Sequence, residues 1–443
     1  MSKESGSGSD SIGSEEKSEG LKFSSRFNRK SGVSESGRYD VGLMRVKVAP
    51  AFEHPSRIKR ALRNHLRTLG FTRDANGTLS LAEAGKEAFR NCHSSQREDK
   101  LKLNAAFIEQ KWPLYRQYFA DGSEVNPAGV RPVLELVGSE SWQSELFRLA
   151  TLTWSVPVSN GYGRRMRFLV WDESNGKLMG VIGLTDPVFN LRARDADIGW
   201  TSVDRQARLT CMLDAHILGA LQPYNQLLGG KLVSCLLRST DVREMFRKKY
   251  AGSIGIISQE ARHSRLLAVT TSSSLGRSSV YNRLKLAGQT YFRSIGYTEG
   301  FGHFQIPQGL FEDMRRYLKS IEHPYADGNR FGTGPNWRLR TVRACLDEIG
   351  FNSNILQHNL KREVFICPLA SNYREILQGT QQRASWAGLP SVAEVGKLAV
   401  DRWLIPRSLS RHEWRAWSKD SILTQINGHE AQAALRVKNG TSL

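Results

Sequence analysis

The sequence predicts an α/β (α+β) protein in which helices flank a mixed sheet. Residues 167–171 and 177–184 read as two strands joined by an Asn-Gly turn, a pattern typical of a β-hairpin. Residues 267–271 form another apolar, β-branched run, which predicts a buried strand. Over residues 55–71 the apolar positions recur at helical spacing instead.

The N-terminal part of the chain is predicted to be a disordered segment followed by a basic helical region. Residues 1–38 are rich in serine and glycine and carry few large apolar side chains, so they cannot form a core. Residues 39–155 read as helices. The first of these places Lys59, Arg60 and Arg63 off its apolar face with no acidic residue between them. Such a face is typical either of a solvated helix or of phosphate contacts.

The rest of the chain divides into a sheet-bearing core, an extension and a tail. The predicted regions are a core over 156–308, a C-terminal α/β extension over 309–405 and a helical or loose tail over 406–443. Within the core, the predicted elements after the hairpin are a polar connection over 185–195, a short strand at 198–200, a helix or strand over 209–220, a helix over 278–288 and a strand over 302–306. Helices over 310–320 and 337–348 and a strand over 362–369 follow.

Charge is the strongest compositional feature. The chain of 443 residues has a formal net charge of +20. Its first 40 residues hold equal numbers of basic and acidic side chains, so the excess lies in the rest of the chain. Such an excess on a globular body indicates a polyanionic partner, and nucleic acid is the expected one. Solvated surface lysines and arginines are the alternative explanation.

Other compositional features predict a protein of the reducing cytoplasm without a membrane segment. No apolar run approaches the roughly 20 residues of a transmembrane helix, and no secretory leader is recognisable. The five cysteines are scattered and odd in number, so neither a disulfide framework nor a zinc site is expected. Asp186 and Asp195 lack a third carboxylate at suitable spacing, and no metal is predicted.

A glycine turn that opens an apolar helix is the first candidate site. Gln226, Gly229, Gly230 and Lys231 precede a run of apolar residues. The first turn of a helix has unpaired N–H groups and the positive end of the helix dipole, so it suits an anion. Thr271 and Ser272 end the strand predicted at 267–271, and their hydroxyls are candidates for the same anion.

Further candidates are polar side chains that suit nucleic-acid phosphates or bases. They are Arg192, Arg194, Arg277, Tyr281, Asn282, Arg283, His303, Asn336, Trp337 and Arg338. Arginine and asparagine can read base edges, and aromatic rings can stack on bases. Each also has a structural explanation, as an exposed or capping residue. Asp214 and His216, near Cys211, are a weaker candidate for acid–base chemistry.

The order of the central elements resembles the GNAT superfamily of N-acyltransferases. A hairpin, a strand, a glycine turn with its helix, a second strand and a segment ending YFRSIGY carry the resemblance. It implies an acyltransferase-like mixed sheet, with coenzyme A pyrophosphate at Gln226-x-x-Gly229-x-Lys231. The catalytic tyrosine of that pattern falls on Phe292, whose ring cannot donate a proton. An acyl-CoA cofactor therefore stays an open possibility.

Longer segments resemble the DruA family of Druantia anti-phage proteins over roughly residues 55–390. These segments are YGRRMRFLVWDESNGKLMGVIGLTDPVFNLRARDADIGW, LGALQPYNQLLGGKLVSCLL, TTSSSLGRSSVYNRL, GPNWRLRTVR and KREVFICPLASN. The resemblance implies prokaryotic defence alongside other Druantia components, including a large helicase-like protein. It implies no particular reaction. We expect binding of nucleic acid or partner proteins, with an acyl-CoA-dependent or nucleotide-using enzyme as the alternative and a metal-dependent nuclease as a remote one.

Overall fold

A computed structural model describes most of the chain. The described residues are 55–81, 85–252, 254, 265–326, 337–351 and 353–426. They belong to one compact unit that spans Ala49–Leu443. The segment predicted to be disordered and the end of the predicted tail, from residue 427, lie outside the described residues. The boundaries predicted between regions remain predictions.

A seven-stranded mixed sheet is the centre of the fold, which confirms the predicted fold class. The strands of the described residues are β1 (Phe71–Arg73), β2 (Leu79–Leu81), β3 (Pro132–Leu136), β4 (Arg165–Asp172), β5 (Lys177–Thr185), β6 (Met212–Ala220), β7 (Ala268–Ser272), β8 (Lys285–Leu286), β9 (Gln289–Thr290), β10 (Arg293–Tyr297) and β11 (Glu363–Pro368). The large sheet has the order β10-β11-β7-β6-β5-β4-β3. Its neighbours are antiparallel except β6 and β7, which are parallel.

Helices cover both faces of this sheet. The α-helices of the described residues are α1 (Pro55–Thr68), α2 (Lys86–Leu103), α3 (Ala105–Tyr115), α4 (Trp142–Leu152), α5 (Arg192–Ile198), α6 (Ser202–Arg208), α7 (Gly229–Cys235), α8 (Thr240–Tyr250), α9 (Gln308–Ser320), α10 (Trp337–Glu348), α11 (Tyr373–Gln378), α12 (Val392–Ala399) and α13 (Ile405–Ser410). A π-helical turn, Val400–Leu404, joins the last two. No described helix is long and apolar enough to cross a membrane.

The apolar sequence of the central strands follows from burial on both sides. In β4, Phe168 and Val170 point into one core and Leu169 into the other. The first core is closed by α7, which packs on β5 and β6, and the second by α4. Strands buried on both faces are continuously apolar, as the sequence of β5 is.

A separate core lies beside the sheet and is joined to it by α2. Side chains of α1, α9 and α10 form this core around Ile58, Phe311 and Val342. The N-terminal half of α2 contributes Phe89 to it, whereas the C-terminal half places Leu101 in a core of the sheet. The middle of α2 therefore crosses the gap between two packed bodies.

The parallel pair β6 and β7 stays together for only three residues. Its register ends at the pairing of Asp214 with Thr270. Side chains then replace the backbone ladder, because the Thr271 hydroxyl donates to the Ala215 oxygen at 2.8 Å. The Tyr281 hydroxyl donates to the Leu218 oxygen at 3.3 Å. The two strands thus diverge at one edge of the gap that α2 crosses.

The helix predicted over 278–288 is absent. The Ser278 hydroxyl accepts from the backbone N–H groups of Val280 and Tyr281, which forms a turn. Arg283 and Ala287 then adopt positive φ angles of 61° and 46°, which a continuing α-helix cannot accommodate. The short antiparallel pair of β8 and β9 follows. The sequence analysis was wrong here because turn chemistry outweighed helical spacing.

Other predicted elements also differ from the structure. Residues 302–306 form turns rather than a strand, and the strand predicted at 198–200 is instead the last residue of α5 and the two residues after it. The segment over 209–220, left open between helix and strand, is mainly β6. The N-terminal region is not wholly helical, because β3 joins the large sheet as its edge strand.

Candidate functional site

A cleft of about 1260 Å³ occupies the gap between the sheet and the second core. One wall comes from the outer part of β6 and the end of β7. The middle of α2 forms a second wall, and residues 303–308 with the start of α10 form a third. The cleft lies where the parallel strands diverge, which is a common place for ligands in open sheets.

Six of the predicted site residues line this cleft. They are Thr271, Ser272, Tyr281, His303, Trp337 and Arg338. The sequence analysis missed several other lining residues, namely His93, Lys100 and Arg362, and gave little weight to Asp214 and His216. Helical spacing on α2 was the available signal for His93 and Lys100, because residues seven apart share one face.

Asp214 lies on the β6 wall at the point where the strands separate. The Thr270 hydroxyl donates to its Oδ1 at 2.7 Å. Burial raises the pKa of Asp214 to about 6, although the Thr270 hydrogen bond and the charge of Arg194 act in the opposite direction. A carboxyl group with such a pKa exchanges protons near neutral pH.

His216 faces the same cleft because β6 bulges there. The register across β5 and β6 skips His216 between Ala215 and Ile217. Burial first, and then the charge of Arg165, lowers the pKa of His216 to about 4, so the ring is neutral at physiological pH. Cys211 is buried and does not line the cleft, and burial raises its pKa. These three residues therefore do not form a nucleophilic cysteine site.

The α2 wall carries basic side chains with neutral partners. Arg97, which is 5% exposed, donates from Nε to the backbone oxygen of Trp154 at 3.0 Å. Lys100 donates to the backbone oxygen of Val158 at 2.7 Å. Burial lowers the pKa of both side chains, because neither cation is compensated by a hydrogen-bonded carboxylate.

Arg362 is the inner cation of the cleft. Its Nη2 donates to Nε2 of His93 at 2.9 Å, and its guanidinium lies 5.4 Å from the centre of the Phe304 ring. Phe304 in turn stacks on His93 with ring centroids 4.4 Å apart. Burial lowers the pKa of Arg362. Burial, followed by the charge of Arg362, lowers the pKa of His93 to about 3.

Arg338 and Trp337 come from the start of α10. Arg338 donates to the Gln308 side-chain oxygen at 2.5 Å and to the Ile306 backbone oxygen at 2.9 Å. Burial lowers the pKa of Arg338. Burial and the charge of Arg338 lower the pKa of His303 to about 4. The neighbouring predicted residue, Asn336, lies outside the described residues.

Two buried arginines elsewhere in the chain, Arg164 and Arg194, have acidic partners, whereas the buried Arg238 donates to the backbone oxygen of Gly388 at 3.0 Å. Arg194 is fully buried and binds Asp195 at 2.7 Å, as well as the backbone oxygens of Val188 and Phe189. Arg164 binds Asp186 at 2.7 Å. By contrast, Lys100, Arg338 and Arg362, which line the cleft, have no carboxylate oxygen within 4 Å among the described residues, although Asp99 and Glu312 act on Arg338 from farther away. The same holds for Arg97, which does not line the cleft itself but donates to Trp154, which does. These four side chains are called the cleft cations below.

Arg194 was predicted to contact nucleic acid, but its side chain is buried inside the protein. Its guanidinium is enclosed and fully used within the loop, so it holds the 185–195 connection together instead. Asp186 and Asp195 likewise pair with arginines. No group of three metal-binding side chains occurs among the residues that the structure describes.

The Gly229 turn lies apart from the cleft. A Cβ at Gly229 would come within 2.6 Å of the Tyr224 backbone oxygen, so the turn is tightly packed. The ammonium of Lys231 lies 5.7 Å from the centre of the Trp403 ring, and Arg407 donates to the backbone oxygen of Gln226 at 3.2 Å. The C-terminal helices therefore cover the turn.

The remaining predicted residues are dispersed. Arg192 is exposed and lies 3.4 Å from Glu299. Arg277 and Arg283 are exposed outside the cleft. Asn282 donates to the Ser278 backbone oxygen at 2.7 Å, which stabilises the local turn. Their expected proximity depended on the helix that the structure lacks.

Comparisons with known proteins identify relatives over most of the chain. A family model described as "Druantia protein DruA" matches residues 83–379. A curated protein with the same description, from Escherichia coli (strain UMEA 4076-1), is 52% identical over 372 residues, which cover 84% of this chain and 92% of the relative. No solved structure matches the chain significantly. The matched residues include all four cleft cations.

Proposed function

The chain belongs to the DruA family of Druantia proteins, and on this premise we propose that it is a cytoplasmic component of a Druantia-type anti-phage system. We propose that it binds nucleic acid in the cleft and acts together with other Druantia components, including a helicase-like protein. The observation that carries the binding proposal is the set of cleft cations without carboxylate partners. Arg97 is buried and the other three cations are half-buried. Charges withdrawn from water are normally paired, so these cations favour an anionic ligand.

The neutral surroundings of the cations also suit phosphate. Arg97, Lys100, Arg338 and Arg362 donate to carbonyl, amide and imidazole groups, which hold them in place without cancelling their charge. Guanidinium groups bind phosphate oxygens in bidentate fashion. An incoming phosphate would supply the missing negative charge without first displacing a bound carboxylate.

Aromatic rings lie beside these cations. Trp154, Phe304 and Trp337 all line the cleft. Stacking on such rings typically contributes about 1–3 kcal/mol per base to the binding of single-stranded nucleic acid, whatever the sequence. Cations next to rings therefore favour a single strand or a flipped base over an intact duplex.

Salt-dependent binding of a fluorescent single-stranded oligonucleotide tests this function. We expect log K to fall linearly with log salt concentration in the wild-type protein. Replacing Arg97 and Arg338 by Gln should make that slope shallower by about 0.7 per lost phosphate contact. Arg90→Gln is the matched control, since Arg90 lies on the same helix outside the cleft and pairs with Glu87.

Two results would contradict the proposal. In one, the wild-type protein binds neither single-stranded nor duplex DNA or RNA at about 100 mM salt, at which several phosphate contacts still give measurable binding. In the other, the Arg97/Arg338 variant keeps the wild-type slope while its thermal melting shows that it is folded.

A second candidate function is an acyl-CoA-dependent or nucleotide-using enzyme on an acyltransferase-like scaffold. The observation that favours it is the order β5, β6, Gly229 turn, α7 and β7, with β6 and β7 parallel. Its pyrophosphate would have to reach the turn beneath Trp403 and Arg407. Calorimetry with acetyl-CoA, coenzyme A and ATP tests it. Absence of heat with all three, together with unchanged melting temperatures, would eliminate this candidate.

A further inference from the structure

We infer that the inner wall of the cleft is a binding site for a phosphomonoester dianion, such as the terminal phosphate of a nucleic-acid strand. This inference rests on the proposed function and specifies which part of a nucleic acid enters the cleft. Its centre is His93 with Arg362, and Arg97 and Arg338 complete it. Nothing in the family comparison assigns this site.

The hydrogen bond between Arg362 and His93 fixes the tautomer of the imidazole. A guanidinium can only donate, so Nε2 of His93 accepts and its proton must be on Nδ1. His93 is 4% exposed, and Nδ1 has no hydrogen-bond partner in the structure. Gln96 interacts with the ring and favours its protonated form, but it forms no hydrogen bond to Nδ1. A buried N–H donor is therefore unused.

Two guanidinium groups add further unused donors. Nη1 of Arg97 and Nε of Arg338 are both buried and unpartnered. His93, Arg97 and Lys100 follow one another at spacings of four and three on α2, so they lie along one face. Buried polar atoms without partners are uncommon in proteins, and two of these three belong to residues that line the cleft, His93 and Arg338. They indicate a ligand rich in acceptor oxygens.

Charge distinguishes a dianion from a phosphodiester. On the cleft walls, Lys100, Arg338 and Arg362 face two acidic residues, Asp99 and Asp214, and Arg97 adds a further positive charge behind the α2 wall. A phosphodiester carries one negative charge and continues into a nucleotide on both sides, which needs an open groove. The inner wall consists of the buried His93 and half-buried side chains such as Arg362 and Arg338, and a chain end with its second negative charge suits this wall.

Three oligonucleotides of one sequence test this inference. They carry a 5′-phosphate, a 3′-phosphate or no terminal phosphate, and binding is followed by fluorescence anisotropy with the label at an internal base. We expect one phosphorylated form to bind at least about tenfold more tightly than the unphosphorylated form. This preference should disappear in Arg362→Gln and persist in the control Arg90→Gln. Arg338→Gln is the second variant if Arg362→Gln does not fold.

The results of this experiment distinguish the terminal-phosphate site from nucleic-acid binding in general. Equal affinity for all three oligonucleotides would overturn the terminal-phosphate site and leave nucleic-acid binding intact. If no oligonucleotide binds, adenosine monophosphate is the remaining source of a phosphomonoester. Its stabilisation of the wild-type protein, but not of Arg362→Gln, in thermal melting would support the site while refuting nucleic-acid binding. Absence of that stabilisation as well would refute both.

Discussion

The buried Arg194 and the half-buried Arg362 have opposite surroundings. Arg194 binds Asp195 and two backbone oxygens, whereas Arg362 has an imidazole and a phenyl ring as its neighbours. Removing one partner of a buried ion pair leaves an uncompensated charge, but removing a charge that has no partner relieves desolvation. Arg194 is therefore expected to stabilise the folded state, whereas Arg362 is not.

Arg194→Gln and Arg362→Gln should change stability in different ways. We expect Arg194→Gln to lower the free energy of unfolding by about 2–3 kcal/mol, because two backbone oxygens lose their donors and Asp195 keeps only Arg205 as a partner. Arg362→Gln should change it by less than about 1 kcal/mol or raise it. Urea denaturation in the absence of ligand measures both values. A loss of stability in Arg362→Gln as large as in Arg194→Gln would show that Arg362 is a structural cation.

Asp214 should make stability depend on pH. Because its pKa is raised from about 3.8 to about 6, the folded state holds its proton more tightly than the unfolded state does. This group's stabilising effect is complete below about pH 4 and is lost as the pH rises to about 6, at a cost on the order of 2–3 kcal/mol.

Asp214→Asn should remove that pH dependence. We expect the variant to be more stable than the wild-type protein at pH 7.5, with the difference disappearing near pH 4.5. Comparing the two proteins cancels the opposite contributions of His93, His216 and His303, whose pKa values are lowered. A difference that stays constant between pH 4.5 and pH 7.5 would contradict the assignment. Urea denaturation at each pH provides the measurement.

Among the elements, the Gly229 turn has adjacent glycines with different surroundings. A Cβ at Gly229 would lie 2.6 Å from a backbone oxygen, whereas one at Gly230 would meet only Val280, at 3.8 Å. Gly229→Ala should therefore destabilise the fold by about 1–3 kcal/mol. Gly230→Ala should be neutral or stabilise it by up to about 1 kcal/mol, since alanine favours a helix. Thermal melting distinguishes these outcomes.

The same two variants also test whether nucleic acid binds at the turn or in the cleft. Neither should alter oligonucleotide affinity while the protein is folded, because the turn does not line the cleft. A loss of affinity in the stable Gly230→Ala variant would place the nucleic-acid contact at the turn instead. The π-helical turn at Val400–Leu404 and the following α13 would then have to move aside.

Elements with one strong pattern could be predicted from the sequence. The hairpin of β4 and β5, the buried β7 and the helices α9 and α10 were found because their apolar residues follow one period. The segment over 278–288 could not, because its conformation depends on a Ser278 turn and on positive φ angles at two non-glycine residues. Local periodicity carries no signal for either feature.

At the scale of the whole molecule, the cleft brings together residues from His93 to Gln425. Five segments between His93 and Arg362 each contribute one of the residues discussed above, namely Asp214, Thr271, Tyr281, His303 and Arg338. Single residues of this set could be proposed from composition and turn signals. Their convergence could not, because it depends on α2 crossing between two cores that pack separately.

Net charge alone does not identify the surface that binds a partner. A charge of +20 predicts a polyanionic partner but gives no location for it. The exposed basic face of α1 and the enclosed cations of the cleft are both consistent with that charge. The absence of carboxylate partners distinguishes the cleft, because exposed cations are already solvated and need no ligand.

Photocrosslinking locates the bound strand directly and tests the central claim that nucleic acid enters the cleft. A single-stranded oligonucleotide containing bromodeoxyuridine would be irradiated with the full-length protein, and the crosslinked peptides identified by mass spectrometry. We predict crosslinks at Trp154, Phe304 or Trp337, which line the cleft, with loss of these crosslinks in the Arg97→Gln/Arg338→Gln variant. Crosslinks confined to α1, or unchanged in that variant, would contradict the account.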